Sequence, residues 1–246
     1  MPRKRFPRKP LTPAELKRAR QREEFSTEIA PPARGGEAPE AAVSEDLDRS
    51  LTTLKSILSP SDDIVFRELS IGHEQHIKAA IVFIDGIVDK ATIHEHVMKS
   101  LMLHTERIAP APLRGAPLGD VVKEFSLTVG EVTSSENMHE VVDHILNSDT
   151  ALFIDGVPTC IIVNTKGWEH RGIQDPTIES SVRGAREGFN EVLRTSTAMM
   201  RRRIKDPRFM VKQMTLGRRT KTDVAVMYLE GVANEQVVKE VFSRLG

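Results

Sequence analysis

The chain has 246 residues, 39% of them hydrophobic, enough to bury the core of one large domain or two small ones. Aromatic residues make up only 4%, which argues against the stacking platforms of single-strand nucleic-acid binders, and a single cysteine, Cys160, excludes an internal disulfide and a cysteine-rich zinc site. The net charge of zero hides a segregated pattern: residues 1–34 carry 10 basic and 4 acidic groups, residues 35–182 carry 11 and 24, residues 183–221 carry 12 and 3, and residues 222–246 carry 2 and 4.

Such segregation fits one face of a molecule meeting the opposite face of another unit. No apolar run approaches the ~20 residues that cross a bilayer, and "MPRKRFPRKP" is not followed by the apolar core of a signal peptide, so the chain as given is expected to be soluble. Residues 1–46, rich in Pro, Glu, Arg and Ala, offer too few large apolar side chains to offset their ordering entropy and read as a disordered or loosely attached tail. Residues 47–150 read as a first α/β segment and residues 151–246 as a second, with interleaving of the two allowed.

In chain order, "DRSLTTLKSIL" places Leu51, Leu54, Ile57 and Leu58 on one helical stripe that Pro60 ends. "DIVFREL" and "HIKAAIVFIDGIV" read as strands, and "DKATIHEHVMKSLML" as a helix capped by Asp89 with Ile93, Val97 and Leu101 inward. After the Pro-rich "IAPAPLRGAP" come a helix near Leu118 to Phe125, the stretch "LTVGEVTSS" and the helix "ENMHEVVDHILNS". "TALFIDGVPTCIIVNT" reads as two strands joined through Asp155 and Gly156, a signal for a two-residue hairpin turn, and the apolar neighbours of Cys160 mark a buried structural thiol. A long helix follows over Val182 to Ile204, with Val182, Phe189, Val192, Leu193, Ser196, Met199, Met200 and Ile204 on one stripe. "FMVKQMTLG", the strand "DVAVMYLEG" and the helix "NEQVVKEVFSRL" close the chain.

"AIVFIDGIVDKATIHEHVMKSL" and "VAVMYLEGVANEQVVKEVFSRL" match as apolar strand, acid, Gly, short link, capping Asp89 or Asn234, then amphipathic helix, at a constant offset of 145. The echo points to an α/β protein with two subdomains of similar build. Neither a phosphate-cradling Gly loop nor a nucleophile elbow is present. His73, His76, His94 and His96 read as solvated or core-edge groups, because His94 and His96 diverge on a helix. The acid-Gly pairs at Asp85, Asp155 and Glu230 read as turn formers rather than as a carboxylate or metal set. No cofactor, metal site or catalytic residue is expected, and hence no enzyme.

Three adjacent arginines, Arg201, Arg202 and Arg203, span about 200° of a helix, so at least one must turn toward neighbouring protein. The expected arrangement is one arginine paired with carboxylates of its own chain, while the others join Arg183, Arg186, Glu187 and Arg194 in a surface for binding or subunit contact. A nucleic-acid-binding module using the basic block 183–221 is the alternative.

"QDPTIESSVRGAREGFNEVLRTSTAMMRRRIKDP" followed by "MTLGRRTKTDVAVMYLEGVAN" resembles the signature region of the A subunits of GerA-type spore germinant receptors. The likeness runs from about Leu51 to the end and includes "LFIDG"; Ala185 stands where the family usually has Pro. The resemblance implies an amino-terminal domain of a longer membrane protein, which senses or transmits nutrient germinant signals that trigger spore germination. It also implies two α/β subdomains with mixed sheets flanked by helices, reminiscent of bilobed solute-binding proteins. The implied location is the cytoplasmic, spore-core side of the inner spore membrane. The implied partners are B and C subunits, with room for self-association of A subunits and for a small-molecule germinant, and without nucleic acid.

Overall fold

The computed structural model describes residues 41–58, 60–71, 77–103, 131–167, 189 and 191–246. The expected tail up to residue 40, the Leu118–Phe125 helix, His73, His76, Arg183, Arg186 and Glu187 lie outside the described residues.

Three capped helices frame the first sheet. Helix α1, Leu47–Ile57, starts where the Asp46 carboxylate accepts the Arg49 N–H at 3.0 Å, and it buries Leu47, Leu51 and Leu54 along one face. Helix α2 is continuous over Lys90–Thr92, Ile93–Met98 and Lys99–Leu103, and its middle stretch is a π-helix. Asp89 caps it, accepting from the Thr92 hydroxyl at 2.7 Å and the Ala91 N–H at 2.9 Å, and the Thr92 bond foremost holds the Asp89 carboxyl below its usual range. Ile93, Val97 and Leu101 are buried, as their spacing predicts. Helix α3, Met138–Leu146, is capped by Asn137 on the His139 N–H and buries Met138, Val141, Val142, Ile145 and Leu146.

Five strands, β1 (Ile64–Ile71), β2 (Ile77–Ile84), β3 (Val132–Ser135), β4 (Thr150–Ile154) and β5 (Cys160–Val163), form one sheet in the order β1-β2-β4-β5-β3. The helix-flanked α/β layering is as expected, but every described ladder is antiparallel, where mixed sheets were expected. The reason lies in the connections: no described strand returns beside its predecessor in the same direction. Period-two alternation divides the central strands between two cores. Ala80, Val82, Ile84, Ala151, Phe153, Cys160 and Ile162 face α1 and α3, while Ala79, Ile81, Phe83, Leu152, Ile154, Ile161 and Val163 face α2. Cover on both faces explains why "AAIVFI" and "CIIV" are continuous apolar runs. Cys160 is fully buried, and burial pushes its thiol far above the ordinary range.

The β4–β5 connection corrects the expected two-residue turn. It runs over residues 155–159, because Pro158 has no N–H for a ladder and Val157 tucks its side chain into the α2-side core. Gly156 does supply the left-handed residue, at φ +82°. Asp155 has a further task, since its Oδ1 accepts the Leu47 N–H at 3.2 Å and so helps fix the start of α1.

A second sheet pairs β6 (Phe209–Leu216) with β7 (Thr222–Leu229), followed by helix α5 (Glu235–Leu245), which Asn234 caps. The sheet boundary therefore falls between Val163 and Phe209, so β4 and β5 share a sheet with strands from before residue 150. The internal echo is a structural one: Gly86 and Gly231 turn at φ +90° and +78° just after β2 and β7, and each leads into a capped helix.

Candidate interaction site

Helix α4, Leu193–Arg203, lies between the two sheets and carries the arginines singled out by the sequence. It begins at Leu193 behind an extended Val192, rather than continuing as one helix from Val182. Its buried face is also rotated relative to the expected stripe. Ser196, Thr197, Ala198, Met199 and Arg201 are buried, while Phe189 and Val192 are 65% and 56% exposed. Two neighbours cause that rotation. Gly86, in the corner after β2, has no side chain, and a Cβ there would lie 3.2 Å from the Ala198 Cβ, so the helix approaches this corner closely. Asp63 draws Arg201 inward.

Arg201 is 1% exposed and Asp63 is 3% exposed. The guanidinium grips the carboxylate in fork geometry, Nε to Oδ2 at 2.7 Å and Nη2 to Oδ1 at 2.9 Å. Nη2 also donates to the Ser61 hydroxyl at 2.9 Å, and the group stands 4.9 Å from the centroid of the Phe209 ring. Ser61 ties this pair to the second sheet. Its hydroxyl donates to Asp63 Oδ1 at 2.7 Å and accepts the β6 Val211 N–H at 2.7 Å. The same turn holds β6 twice more, through Asp62 N–H to the Val211 carbonyl at 2.9 Å and Gln213 N–H to Asp62 Oδ2 at 2.7 Å. Lys212 reaches both the Asp62 carboxylate and the Pro60 carbonyl. The turn of residues 60–63 is thus a joint, with the first sheet on one side, β6 on the other, and Arg201 closing it from α4.

A second tie is at Asp85. Asp85, whose N–H donates to the Asp63 carbonyl at 2.7 Å, receives Arg194 of α4 and Lys90 of α2, the latter at 2.9 Å. Two of the named arginines, Arg194 and Arg201, are therefore spent on the carboxylates that end β2 and begin β1. Arg202 is half-buried, with Nε donating to the Ala198 carbonyl at 3.4 Å, and Arg203 is exposed. Farther along, Asp206 accepts Arg208 at 3.0 Å, which holds the Asp206 carboxyl below its usual range. Lys205 donates to Asn147 at 2.6 Å. These internal pairings withdraw much of the basic block 183–221 from any phosphate backbone.

The sequence did not single out Ser61 or Asp63. Their only signal was "SPSDD", a capping-type cluster before a strand, whose partner stands 138 residues away. His94 and His96 are exposed, and among the described residues no group of three His, Cys, Asp or Glu is placed to hold a metal ion.

The sequence model of a family described as Bacillus/Clostridium GerA spore germination protein matches residues 52–246. The chain belongs to that family. It is 33% identical over 203 residues to "Spore germination protein KA" of Bacillus subtilis (strain 168), covering 82% of this chain and 36% of the relative. It is 31% identical over 204 residues to "Uncharacterized membrane protein YfkQ" of the same organism, covering 82% of this chain and 38% of the relative. The chain thus spans under two-fifths of the length of these curated relatives. The crystal structure of the N-terminal domain of the A subunit of the Bacillus megaterium spore germinant receptor GerK3 is similar at 32% identity and a TM-score of 0.66. That match covers 83% of this chain and 72% of the solved one. The germination names carried by the GerA family, the KA relative and the GerK3 domain are not names of enzymes. Among the described residues of this GerA-family chain, no helix is long and apolar enough to cross a membrane.

Proposed function

We propose that this chain forms the N-terminal domain of a germinant-receptor A subunit and relays a nutrient signal to membrane-spanning parts of the receptor. The observation that carries this reading is the likeness to the GerK3 A-subunit domain over 83% of the chain. On this reading the domain works beside B and C subunits at the inner spore membrane, on the core side. The two subdomains divide by sheet, α1 to β5 on one side and β6 to α5 on the other, with α4 shared. A shift of β6, β7 and α5 against the first sheet then passes through the 60–63 turn and Arg201, because packed interfaces held by forked hydrogen bonds move as rigid bodies. Arg202 and Arg203, on the last turn of α4, face the neighbouring subunit.

The test is to replace Arg202 by Glu in the full-length gene of the spore-forming host and follow the loss of optical density after nutrient addition. A like-charge clash at an interface should slow the response at least about tenfold with the protein at its normal level in the spore. A wild-type rate at normal level would remove the end of α4 from the relay.

A further inference from the structure

Among the described residues, the cations at the β6–β7 turn differ from those nearer the joint. Within residues 194–212, Arg194, Arg201, Arg208 and Lys212 each meet a carboxylate of the chain. At the β6–β7 turn, Arg218, Arg219 and Lys221 are all exposed, and none of the three makes an ion pair among the described residues. The nearest acid in sequence, Asp223, is held back along the strand by the Thr215 hydroxyl at 2.9 Å. The hairpin is anchored at its other end, where Phe209, Met210 and Val211 are buried and the 60–63 turn clasps residues 211–213. From there, burial falls away along β6 toward the turn, which at about 3.3 Å per residue lies roughly 20 Å from the anchored end.

We propose that this turn is a docking point for the anionic phospholipid surface of a membrane, with Arg218, Arg219 and Lys221 seated among headgroup phosphates. Three cations within four residues at an exposed hairpin turn match a plane of phosphates. The stretch 216–223 holds no aromatic residue for stacking on bases and no acid at the apex, which favours lipid over nucleic acid. A membrane is also what one relative carries in its name, over a chain of which this one spans 38%. The inference stands apart from the germination reading, because it needs only a membrane within reach of the tip.

Each cation near an anionic surface is worth about a fivefold gain in partitioning, so three together give on the order of a hundredfold, lost when salt shortens the screening length. The experiment sediments the full 246-residue chain with phosphatidylcholine vesicles containing one-third phosphatidylglycerol, and with pure phosphatidylcholine vesicles, at low and high salt. The comparison protein carries Arg218→Ser, Arg219→Ser and Lys221→Asn, Asn being chosen because residue 221 sits at φ +47°. Both proteins keep the basic residues 1–34, so their difference isolates the tip. Wild-type binding to the anionic vesicles alone, released by salt and weakened about a hundredfold in a variant that melts like wild type, supports the proposal. Equal partitioning of the two proteins, no wild-type binding, or tighter salt-dependent binding to duplex DNA than to the vesicles would overturn it.

Discussion

Arg201→Ala should lower the free energy of unfolding by about 3–5 kcal/mol, because it leaves the Asp63 carboxylate buried without its counter-charge. Asp63 is 3% exposed, and its other side-chain partner is a single hydroxyl, that of Ser61. Removing the guanidinium also takes one of the donors from the Ser61 hydroxyl and opens space beside the Phe209 ring. The matching double variant, Arg201→Met with Asp63→Leu, removes both charges together and should recover most of the loss, since well-packed apolar pairs often replace buried ion pairs at little cost. Urea unfolding of the wild type, Arg201→Met, Asp63→Leu and the double variant reads the coupling. A loss below about 1 kcal/mol for Arg201→Ala would mean that the pair is solvated and the joint is loose.

Phe153→Ala should cost a similar amount, about 3–5 kcal/mol, by a different route. Phe153 lies on β4, the middle strand of the first sheet, opposite Ala80 of β2, and is 1% exposed under α1 and α3. Its ring fills the space that the small side chains Ala80 and Ala151 leave on that face, so truncation opens a cavity between two well-packed layers. Phe153→Leu keeps most of the volume and should cost less than about 1.5 kcal/mol. Thermal melting distinguishes the two, with a drop of roughly 10 °C expected for Ala and a few degrees for Leu. Equal, small shifts for both would show that the core repacks around the gap.

Local chemistry made much of this fold legible. Asp89 and Asn234 cap helices where their spacing to the apolar stripe said they would, and the strand-like runs at β1, β2 and β7 are strands. Pairing at long range was not legible. Nothing in "TALFI" says that β4 inserts beside β2, because a strand buried on both faces carries no alternation to fix its neighbours. The stripe through Phe189 and Val192 continued a helical period that the backbone does not follow, and those two side chains are exposed. The three-arginine run was legible as a demand that one arginine turn inward. Which one, and onto which acid, depended on Gly86 and the 60–63 turn, each more than a hundred residues earlier in the chain. The π stretch of α2 had no sequence signal, since Ile93, Val97 and Leu101 fit an ordinary helix equally well.

The proposed relay of germinant signals is tested most directly by deleting the gene from its spore-forming host and measuring loss of optical density across a panel of nutrients. The expected result is loss of the response to at least one nutrient, restored by an intact copy of the gene, with germination by a nutrient-independent trigger unchanged. Spores that answer every nutrient at the wild-type rate without this protein would contradict a role in nutrient sensing.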